Sequence, residues 1–300
     1  MNRRHWLKQT LALGTLAAVS PHIVAIDPIV RKGPAQLKLS IAAYSYRDYL
    51  TGKKQPAMTL DGFVDLCAEL GLPAVELTSY YFKDTSTAAL TRLKGRCTRL
   101  GLDVSGGAVG NKFTEADPAK LKDEIRKTKE WTERYSVLGA KAIRIFAGNA
   151  IKGEEESVTR ARCMEAIQEV CEHASQYGIY MALENHGGIV TTAEQLLAIV
   201  QAIKHEWFGV NLDSGNFRTV DPYGDIAKLA PYAVNVQFKT EIQVAGKKKE
   251  PADMNKLVNI LKEARYRGYV ALEYEAAADP LKAIPEHIQQ LKSLFAGCSG

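Results

Sequence analysis

The feature of this sequence that most constrains its fold is an alternation between short runs of β-forming residues and longer stretches with helical periodicity. The alternation begins near Leu37 and repeats eight times; in the first helical stretch Phe63, Leu66 and Leu70 mark one apolar face. Strands that alternate with helices form parallel sheets, and eight such units in about 265 residues match the size of a closed (β/α)8 barrel. The sequence therefore predicts an α/β fold with a single barrel domain over residues 37–297.

The predicted strands are short apolar runs that end in polar residues. They cover residues 39–45, 74–78, 103–108, 142–146, 180–184, 209–213, 233–238 and 269–274. Glycine readily adopts the left-handed conformation found at helix C-termini, which predicts helix ends at Gly71, Gly101, Gly139, Gly178 and Gly268. An open doubly wound sheet is the alternative, but it needs a glycine-rich phosphate loop after an early strand, and residues 105–110 lack that spacing.

Residues 1–30 have the pattern of an export signal and linker. Arg3, Arg4 and Lys8 precede an apolar run over residues 11–19. This run is far shorter than the roughly 20 residues of a membrane-spanning helix, which favours a signal over an anchor. The adjacent arginines resemble a twin-arginine signal, which implies that the folded protein is exported to the periplasm or beyond, without stable membrane insertion after processing. An amphipathic first helix is the alternative.

The charge of the chain argues against nucleic acid as a partner. Arg3, Arg4 and Lys8 all precede the first acidic residue, Asp27, so removal of the leader lowers the net charge from +5 by three, to +2. A charge so close to neutrality gives no general attraction for a polyanion. The five cysteines show no metal-binding spacing and are predicted to be packing residues; they are Cys67, Cys97, Cys163, Cys171 and Cys298.

Polar side chains follow the predicted strands five to eight, where a closed barrel of this kind places its active site. Residues 183–188, 211–216, 236–241 and 272–275 each supply a carboxylate or an amide there. Because side chains alternate along a strand, Asp213 shares a face with Asn211, and Glu184 shares a face with Ala182. Glu273 and Glu275 share one face with each other, so the alternation leaves the choice between them open.

Carboxylates that meet in a partly desolvated barrel mouth repel one another unless they are protonated or bridged by a cation. Glu184, Asp213 and Glu273, with the amide oxygen of Gln237, offer an oxygen-rich site that suits Mn²⁺ or Mg²⁺ better than Zn²⁺. The sequence therefore predicts one divalent metal as cofactor, with Mn or Mg preferred and Zn as the further candidate. The alternative for each carboxylate is a salt bridge to a Lys or Arg on a neighbouring strand.

These segments resemble a known family, the xylose isomerase-like TIM barrels of sugar phosphate isomerases and epimerases. The resemblance covers nearly the whole chain after the leader and rests on residues 183–186, 212–216, 237–239 and 273–275. It implies that a Glu, an Asp, a His and a Glu on strands five to eight bind a metal. The matching positions in this sequence are Glu184, Asp213, Gln237 and Glu273. Gln237 is a departure, because the family usually has His there. The resemblance also implies that Glu184 and Glu273 act as paired acid and base.

Histidine content separates this chain from a relative in fold, the endonuclease IV type of DNA repair enzyme. Its trinuclear zinc site needs several histidines, but only His173, His186, His205 and His287 follow the leader, and His186 alone is placed near the mouth. His186 is predicted to contact substrate or shuttle a proton, or else to stabilise the turn at Gly187.

Other polar and aromatic residues near the mouth have two readings each. Lys239 is predicted to polarise a substrate oxygen or to pair with Glu241 or Asp213, and Glu76 and Arg144 to contact substrate hydroxyls or to pair with each other. The aromatic residues that could form an apolar wall for a sugar, or simply pack in the core, are Tyr44, Tyr46, Phe146 and Phe217.

The sequence therefore predicts a metal-dependent isomerase or epimerase that moves a proton in a sugar or keto-sugar through an enediolate. Export makes a phosphorylated substrate less expected. One alternative is a lyase or hydratase that acts on 3-keto-glycosides through a metal-stabilised enolate. Another is a sugar-binding barrel without catalysis, which the substitution of Gln237 for His favours. A homo-oligomer stays open as the quaternary state.

Overall fold

Ten strands form between residues 27 and 298, which are the residues described by the computed structural model. They are β1 (Gln36–Ile41), β2 (Ala74–Thr78), β3 (Asp103–Ala108), β4 (Ala142–Ile145), β5 (Tyr180–Glu184), β6 (Phe208–Asp213), β7 (Ala233–Phe238), β8 (Glu241–Ile242), β9 (Glu250–Pro251) and β10 (Arg267–Leu272). Eight of them form one parallel sheet in the order β1-β10-β7-β6-β5-β4-β3-β2, and a parallel bridge between Ala42 and Glu76 joins its two edges. The predicted (β/α)8 TIM barrel is confirmed.

Helices cover the outside of the sheet. They are α1 (Arg47–Leu50), α2 (Leu60–Glu69), α3 (Thr87–Arg99), α4 (Pro118–Leu138), α5 (Glu156–Ser175), α6 (Ala193–Ala202), α7 (Pro222–Leu229), α8 (Met254–Glu263) and α9 (Pro280–Phe295). Local side chains cap all of their N-termini except those of α1 and α5. Thr192 and Gln195, for example, form a capping box on α6, and Asp279 accepts a hydrogen bond from the backbone of Leu281 at the start of α9. The two-residue strands β8 and β9 pair antiparallel in the loop after β7.

The interior of the barrel contains polar as well as apolar side chains. Ser40 of β1 and Ser105 of β3 hydrogen bond across it, with 2.7 Å between their hydroxyl oxygens. On the outer side, the Tyr135 hydroxyl donates to the carbonyl of Leu77 at 2.6 Å. A Cβ on Gly107 would lie 2.3 Å from the Tyr135 ring, so glycine is needed for this helix to approach the sheet.

Four of the five predicted helix-ending glycines are confirmed, since Gly71, Gly101, Gly139 and Gly178 all have positive φ. The prediction for Gly268 is wrong, because this residue lies inside β10. Helix α8 already ends at Glu263, and Arg265 adopts the left-handed conformation with φ of 50°. A side chain at position 268 would meet the Tyr266 hydroxyl at 2.7 Å, which gives Gly268 a packing role.

The first and last barrel strands begin and end earlier than predicted. Strand β1 ends at Ile41 rather than at residue 45, because the chain turns into a 3-10 helix at Ala43–Tyr46. Strand β10 ends at Leu272, which leaves Glu273 and Tyr274 in the loop that follows it. Predicted strand four is one residue too long, whereas strands two, three, five and seven have the predicted bounds.

The end of the barrel opposite the predicted active site is closed by residues before β1. Arg31 donates hydrogen bonds to the carbonyls of Pro231, Ala264 and Ala233, at 3.2, 3.2 and 2.6 Å. Its guanidinium also lies 5.4 Å from the centre of the Tyr266 ring. The predicted export signal falls on residues that the structure does not describe, apart from Asp27 and the three residues after it. Of the helices between residues 27 and 298, none has the length and apolar character needed to cross a bilayer.

The cysteines of the described chain are all free and buried. Cys67 of α2 and Cys163 of α5 are fully buried beneath the sheet-facing sides of their helices. This agrees with the prediction that these residues serve packing.

Candidate active site

The four predicted metal ligands lie at the C-terminal end of the barrel and are almost completely buried. Glu184 and Asp213 are the last residues of β5 and β6, Gln237 lies in β7, and Glu273 directly follows β10. Their exposed fractions are 3 % for Glu184, 0 % for Asp213, 1 % for Gln237 and 5 % for Glu273. Buried carboxylates at such density demand compensating charge or protons.

Lys239 supplies that charge for the strands on one side of the mouth. Its Nζ lies 2.5 Å from Glu273 Oε2, 3.1 Å from Glu275 Oε2 and 3.3 Å from Asp213 Oδ2. Both glutamates that share a face after β10 therefore reach the site, which resolves the choice left open by the sequence. Of the two ion pairs expected as alternatives for Lys239, the one to Asp213 forms.

Two residues of the segment after β6 hold Lys239 in place. The Ser214 hydroxyl accepts a hydrogen bond from the backbone N–H of Lys239 at 2.8 Å. Gly215 leaves the space that the lysine side chain needs, because a Cβ there would lie 2.6 Å from Lys239 Cγ. The glycine in the Leu-Asp-Ser-Gly-Asn segment thus has a physical reason: it lets Lys239, which directly follows β7, cross over the end of β6.

Arg144 supplies the charge on the other side of the mouth. Its Nε lies 2.9 Å from Glu184 Oε2, and the Asn216 amide donates to Glu184 Oε1 at 2.7 Å. Arg144 pairs with Glu184 rather than with Glu76, contrary to one predicted alternative. The guanidinium also lies 3.9 Å from the centre of the Phe146 ring, which in turn packs 4.5 Å from the His186 ring.

Glu76 belongs to a closed ring of hydrogen bonds below the mouth. Glu76 Oε1 accepts from Gln237 Nε2 at 2.6 Å, and Gln237 Oε1 accepts from Asn211 Nδ2 at 2.7 Å. Asn235 Nδ2 closes the ring, since it donates to both Asn211 Oδ1 and Glu76 Oε2. Glu76 is 0 % exposed, and both of its carboxylate oxygens accept hydrogen bonds within the ring. It thereby fixes the amide of Gln237, and its contact with a substrate hydroxyl stays a prediction.

Burial controls protonation in this cluster. Desolvation raises the pKa of Asp213, and Lys239 offsets only part of that effect. Desolvation also raises the pKa of Glu184, against the opposing charge of Arg144. For Lys239, burial lowers the pKa, but the facing carboxylates outweigh it and hold the pKa well above its usual range. The site therefore has excess negative charge that a proton or a further cation would neutralise.

The donor chemistry fits a divalent cation, although the side chains are not gathered around one. Glu184, Asp213, Glu273 and Gln237 offer the oxygen ligands that Mn²⁺ and Mg²⁺ prefer. In the described part of the chain the buried Asp213 Oδ2 accepts no hydrogen bond, although Lys239 Nζ lies 3.3 Å from it. Within residues 27–298, however, no group of three His, Cys, Asp or Glu side chains is arranged to hold a metal. An ion bound by these oxygens would have to displace the Lys239 ammonium, which now lies among them.

The other predicted site residues divide into those at the mouth and those in the core. Tyr46 and Phe217 are buried core residues, whereas Tyr44 and Phe146 are half-buried. His186 is exposed, and its imidazole makes no hydrogen bond within the described chain, so the predicted turn-stabilising bond is not formed. The structure adds functional candidates that the sequence reasoning missed or left undecided: Asn211, Ser214, Asn216, Asn235 and Glu275.

Solved structures of similar fold include sugar epimerases. L-ribulose 3-epimerase superposes with a TM-score of 0.70 at 16% sequence identity, over 87% of this chain and 95% of that chain. The 3-keto-D-glucoside 4-epimerase of E. coli superposes with a TM-score of 0.67 at 14% identity, over 86% of this chain and 100% of that chain. At such low identity, these similarities establish the fold and not the reaction.

A sequence relative and a family model complete the comparison. The 3-dehydroshikimate dehydratase of Bacillus anthracis is 26% identical over 126 residues, which are 40% of this chain and 45% of that protein. The match thus spans less than half of the relative's length. The family model for the xylose isomerase-like TIM barrel matches residues 64–294, which is more than half of the chain. The chain belongs to the xylose isomerase-like TIM barrel family.

Proposed function

We propose that this protein is a divalent-metal-dependent isomerase or epimerase that transfers a proton in a sugar or keto-sugar through an enediolate. The observation that carries the proposal is the pair of buried glutamates, Glu184 and Glu273, at the ends of β5 and β10, which β6 and β7 separate in the barrel. Two carboxyl groups at separate positions around one mouth can serve different faces of the same substrate carbon. The epimerases of similar fold make sugars the first substrates to test.

Glu184 is the better candidate for the base that removes the proton. Arg144 and Asn216 each bind one of its carboxylate oxygens, so the group is held in a fixed orientation. Burial raises the pKa of Glu184 towards neutrality, which suits a group that must both accept and release a proton near pH 7.

The remaining residues complete the proton transfer. The electron pair of the broken C–H bond moves onto the carbonyl oxygen, and Glu273 delivers a proton to the opposite face of the carbon. The Lys239 ammonium has three donors, so it can donate one hydrogen bond to the substrate oxygen as negative charge develops there while another stays on Glu275. Tyr44 and Phe146 provide half-buried aromatic surface against which a sugar ring can pack. When bound by Glu184, Asp213, Gln237 and Glu273, Mn²⁺ or Mg²⁺, with Zn²⁺ as the further candidate, would polarise the carbonyl and stabilise the enediolate charge.

The metal dependence is tested by elemental mass spectrometry of purified wild-type protein and of an Asp213→Ala variant. We expect about one Mn, Mg or Zn per wild-type chain and its loss from the variant, because Asp213 supplies a ligand. Circular dichroism must show that the variant is folded. Folded wild-type protein that contains no metal, even after growth with added Mn, would refute the metal-dependent mechanism.

The reaction is tested by solvent deuterium exchange with a panel of ketoses and keto-sugars. Deuterium at one substrate carbon, without bond cleavage, is the expected result for an isomerase or epimerase. Glu184→Gln should abolish the exchange while leaving the fold intact, since it removes the base but keeps the shape of the side chain. Glu165→Gln, which alters an exposed residue of α5, is the matched control. Full exchange by Glu184→Gln would eliminate Glu184 as the base.

A lyase is the second candidate, and the dehydratase relative supports it. In this reaction Glu184 removes the same kind of proton, but the electron pair expels a hydroxyl group or the aglycone oxygen. The leaving group takes a proton from Glu273 and departs as water or as the free aglycone. Release of an aglycone from a 3-keto-glycoside, or of water from a hydroxy-ketone, would select the lyase. Thermal stabilisation by a sugar with neither exchange nor cleavage would instead select the non-catalytic binding barrel.

We also propose that residues 1–30 direct export and that the protein acts in the periplasm or outside the cell. The support is the pair Arg3 and Arg4 ahead of the apolar run. Replacement of both arginines by lysine should leave the precursor in the cytoplasm in cell fractionation. Unchanged export of that variant would exclude a twin-arginine route.

A further inference from the structure

The Lys239 ammonium occupies the space between the carboxylates that the proposed metal would bind. A lysine ammonium has three donors, and here three carboxylates surround it: Asp213, Glu273 and Glu275. Asp213 and Glu273 belong to the proposed ligand set, but Glu275 does not. Lys239 therefore has two kinds of partner. Asp213 and Glu273 would also bind the metal, whereas Glu275 would remain available to the lysine.

Only the outer end of the Lys239 side chain can move between these partners. Its backbone N–H is bound by Ser214, and its Cβ and Cγ lie against the backbone of Gly215, where a glycine Cβ position is 2.7 and 2.6 Å away. Rotation about the outer bonds of the side chain moves the ammonium without moving its stem. Glu275 has a side-chain exposure of 30%, against 6% for Glu273 and 0% for Asp213, so it marks the solvent side of the cluster.

We infer that Lys239 is a resident counter-ion of the metal-free site, which a divalent cation displaces and which then pairs with Glu275 at the rim. An ammonium and a divalent cation cannot both lie among the oxygens of Asp213 and Glu273, because their like charges repel at such short range. The ammonium keeps the buried carboxylates compensated before the metal arrives. Glu275 gives it a second partner, so that it remains paired when the metal binds.

The inference rests on the metal ligand set of the proposed function and makes two opposite predictions for metal affinity. Lys239→Met removes the competitor and should tighten binding of Mn²⁺ about tenfold. Glu275→Gln removes the alternative partner, so the ammonium leaves the ligands less readily, and binding should weaken by about threefold or more. A purely structural role of either residue would weaken binding in both variants.

The experiment is isothermal titration of metal-free protein with MnCl₂, compared among wild type, Lys239→Met, Glu275→Gln and Lys249→Met. Lys249 is an exposed lysine that lines the same cavity as Lys239 and Glu275, so its variant controls for a general change in charge near the mouth. We expect its affinity to stay within about twofold of wild type. Thermal unfolding in EDTA should show a lower Tm for Lys239→Met than for wild type, and a larger increase in Tm on addition of Mn²⁺.

The outcomes separate this inference from the proposed function. Tighter binding by Lys239→Met with weaker binding by Glu275→Gln supports it. If wild type binds Mn²⁺ and Lys239→Met binds it equally or more weakly, the inference is overturned, while the metal-dependent function stands. If Lys239→Met does not fold, equal or tighter binding by Glu275→Gln overturns it instead. Absence of Mn²⁺, Mg²⁺ and Zn²⁺ binding in wild type and in every folded variant refutes both.

Discussion

At the scale of single residues, Gly215 shows how one missing side chain can determine the position of a functional group. Lys239, directly after β7, crosses the end of β6 at this residue, and the backbone carbonyl oxygen of Glu241 lies 2.8 Å from the ideal Cβ position. Such distances are too short for any side chain. The glycine is therefore required for packing at the site rather than for a special backbone conformation.

Gly215→Ala should consequently displace Lys239 or the backbone near Glu241. We expect it to lower the free energy of unfolding by about 1–3 kcal/mol, the usual cost of overpacking, and to weaken Mn²⁺ binding through loss of site geometry. Chemical denaturation and calorimetric titration measure the two effects. Gly297→Ala is the control, because its Cβ would have no heavy atom within 4 Å. Equal stability of the two variants would contradict the packing role.

Glu76 makes the stability of the metal-free protein depend on pH. Burial raises its pKa from 4.5 to about 7, although Asn235 and Gln237 donate to it. The folded protein thus binds this proton more tightly than the unfolded chain does. The resulting stabilisation is complete below pH 4.5 and is lost as pH rises to about 7, a change of roughly 3 kcal/mol in the free energy of unfolding.

Glu76→Gln should remove that pH dependence, because the amide does not titrate. We expect the variant to gain stability relative to wild type between pH 5 and pH 8, as measured by denaturant unfolding in EDTA. Glu263→Gln, at an exposed position of α8, should show no such change. A pH-independent difference between Glu76→Gln and wild type would mean that Glu76 stays ionised over this range.

The residues of the Glu76 ring also show why part of the site could not be predicted from the sequence. Alternation correctly placed Asn211 on the face of Asp213. Its partners, however, depend on register irregularities between Val75 and Glu76 in β2 and between Val210 and Asn211 in β6. Strand periodicity does not reveal such shifts. Asn235 alternates with Gln237 along β7, so the sequence could have placed it on the same face. Its hydrogen bonds to Asn211 and Glu76 could not be predicted, because they depend on the same register shifts.

At the scale of elements, the C-terminal ends of the two strands that finish in an inward carboxylate are predicted correctly. Predicted strands five and six end at Glu184 and Asp213, as the structure has them. Polar residues mark these ends because the chain leaves the buried sheet there. Strand β1 has no such mark: Ala42 and Ala43 continue its apolar pattern into the 3-10 helix, so its end was placed four residues too late.

The segment before β1 is an element that the periodicity did not predict, and Arg31 holds it to the barrel. Arg31→Met keeps the apolar stem but removes three hydrogen bonds to backbone carbonyls. Because these carbonyls then lose a charged donor, we expect a loss of about 1–3 kcal/mol in the free energy of unfolding. Lys32→Met, next to it and exposed, should change the stability by less than about 0.5 kcal/mol. Similar losses in both variants would contradict a specific role for Arg31.

At the scale of the whole molecule, the two ends of the barrel differ in how well their buried charged and polar groups are paired. At the N-terminal end the Tyr269 hydroxyl donates to Asp103, and the Lys38 and Lys141 ammonium groups lie 5.7 and 5.2 Å from the centre of its ring. These partners are satisfied. At the C-terminal end, within residues 27–298, the buried acidic groups outnumber the basic ones, and Asp213 Oδ2 accepts no hydrogen bond. Stability and the proposed chemistry are therefore concentrated at different ends.

Two substitutions, one at each end of the barrel, should have different effects on stability and on metal binding. Tyr269→Phe removes one hydrogen bond to a charged acceptor and should cost about 1–3 kcal/mol of unfolding free energy, with activity retained. Asp213→Asn removes a carboxyl group whose pKa is raised by burial and by the neighbouring carboxylates Glu184 and Glu273, so at pH 8 it should stabilise the metal-free protein while abolishing metal binding. Thermal unfolding in EDTA, with and without subsequent addition of Mn²⁺, measures both effects. Because Mn²⁺ binds the folded state and not the unfolded chain, it should raise the Tm of wild type and of Tyr269→Phe, which keep the proposed ligands, but not that of Asp213→Asn. A metal-free Asp213→Asn protein less stable than wild type would show that the Lys239 ion pair outweighs the repulsion among the carboxylates.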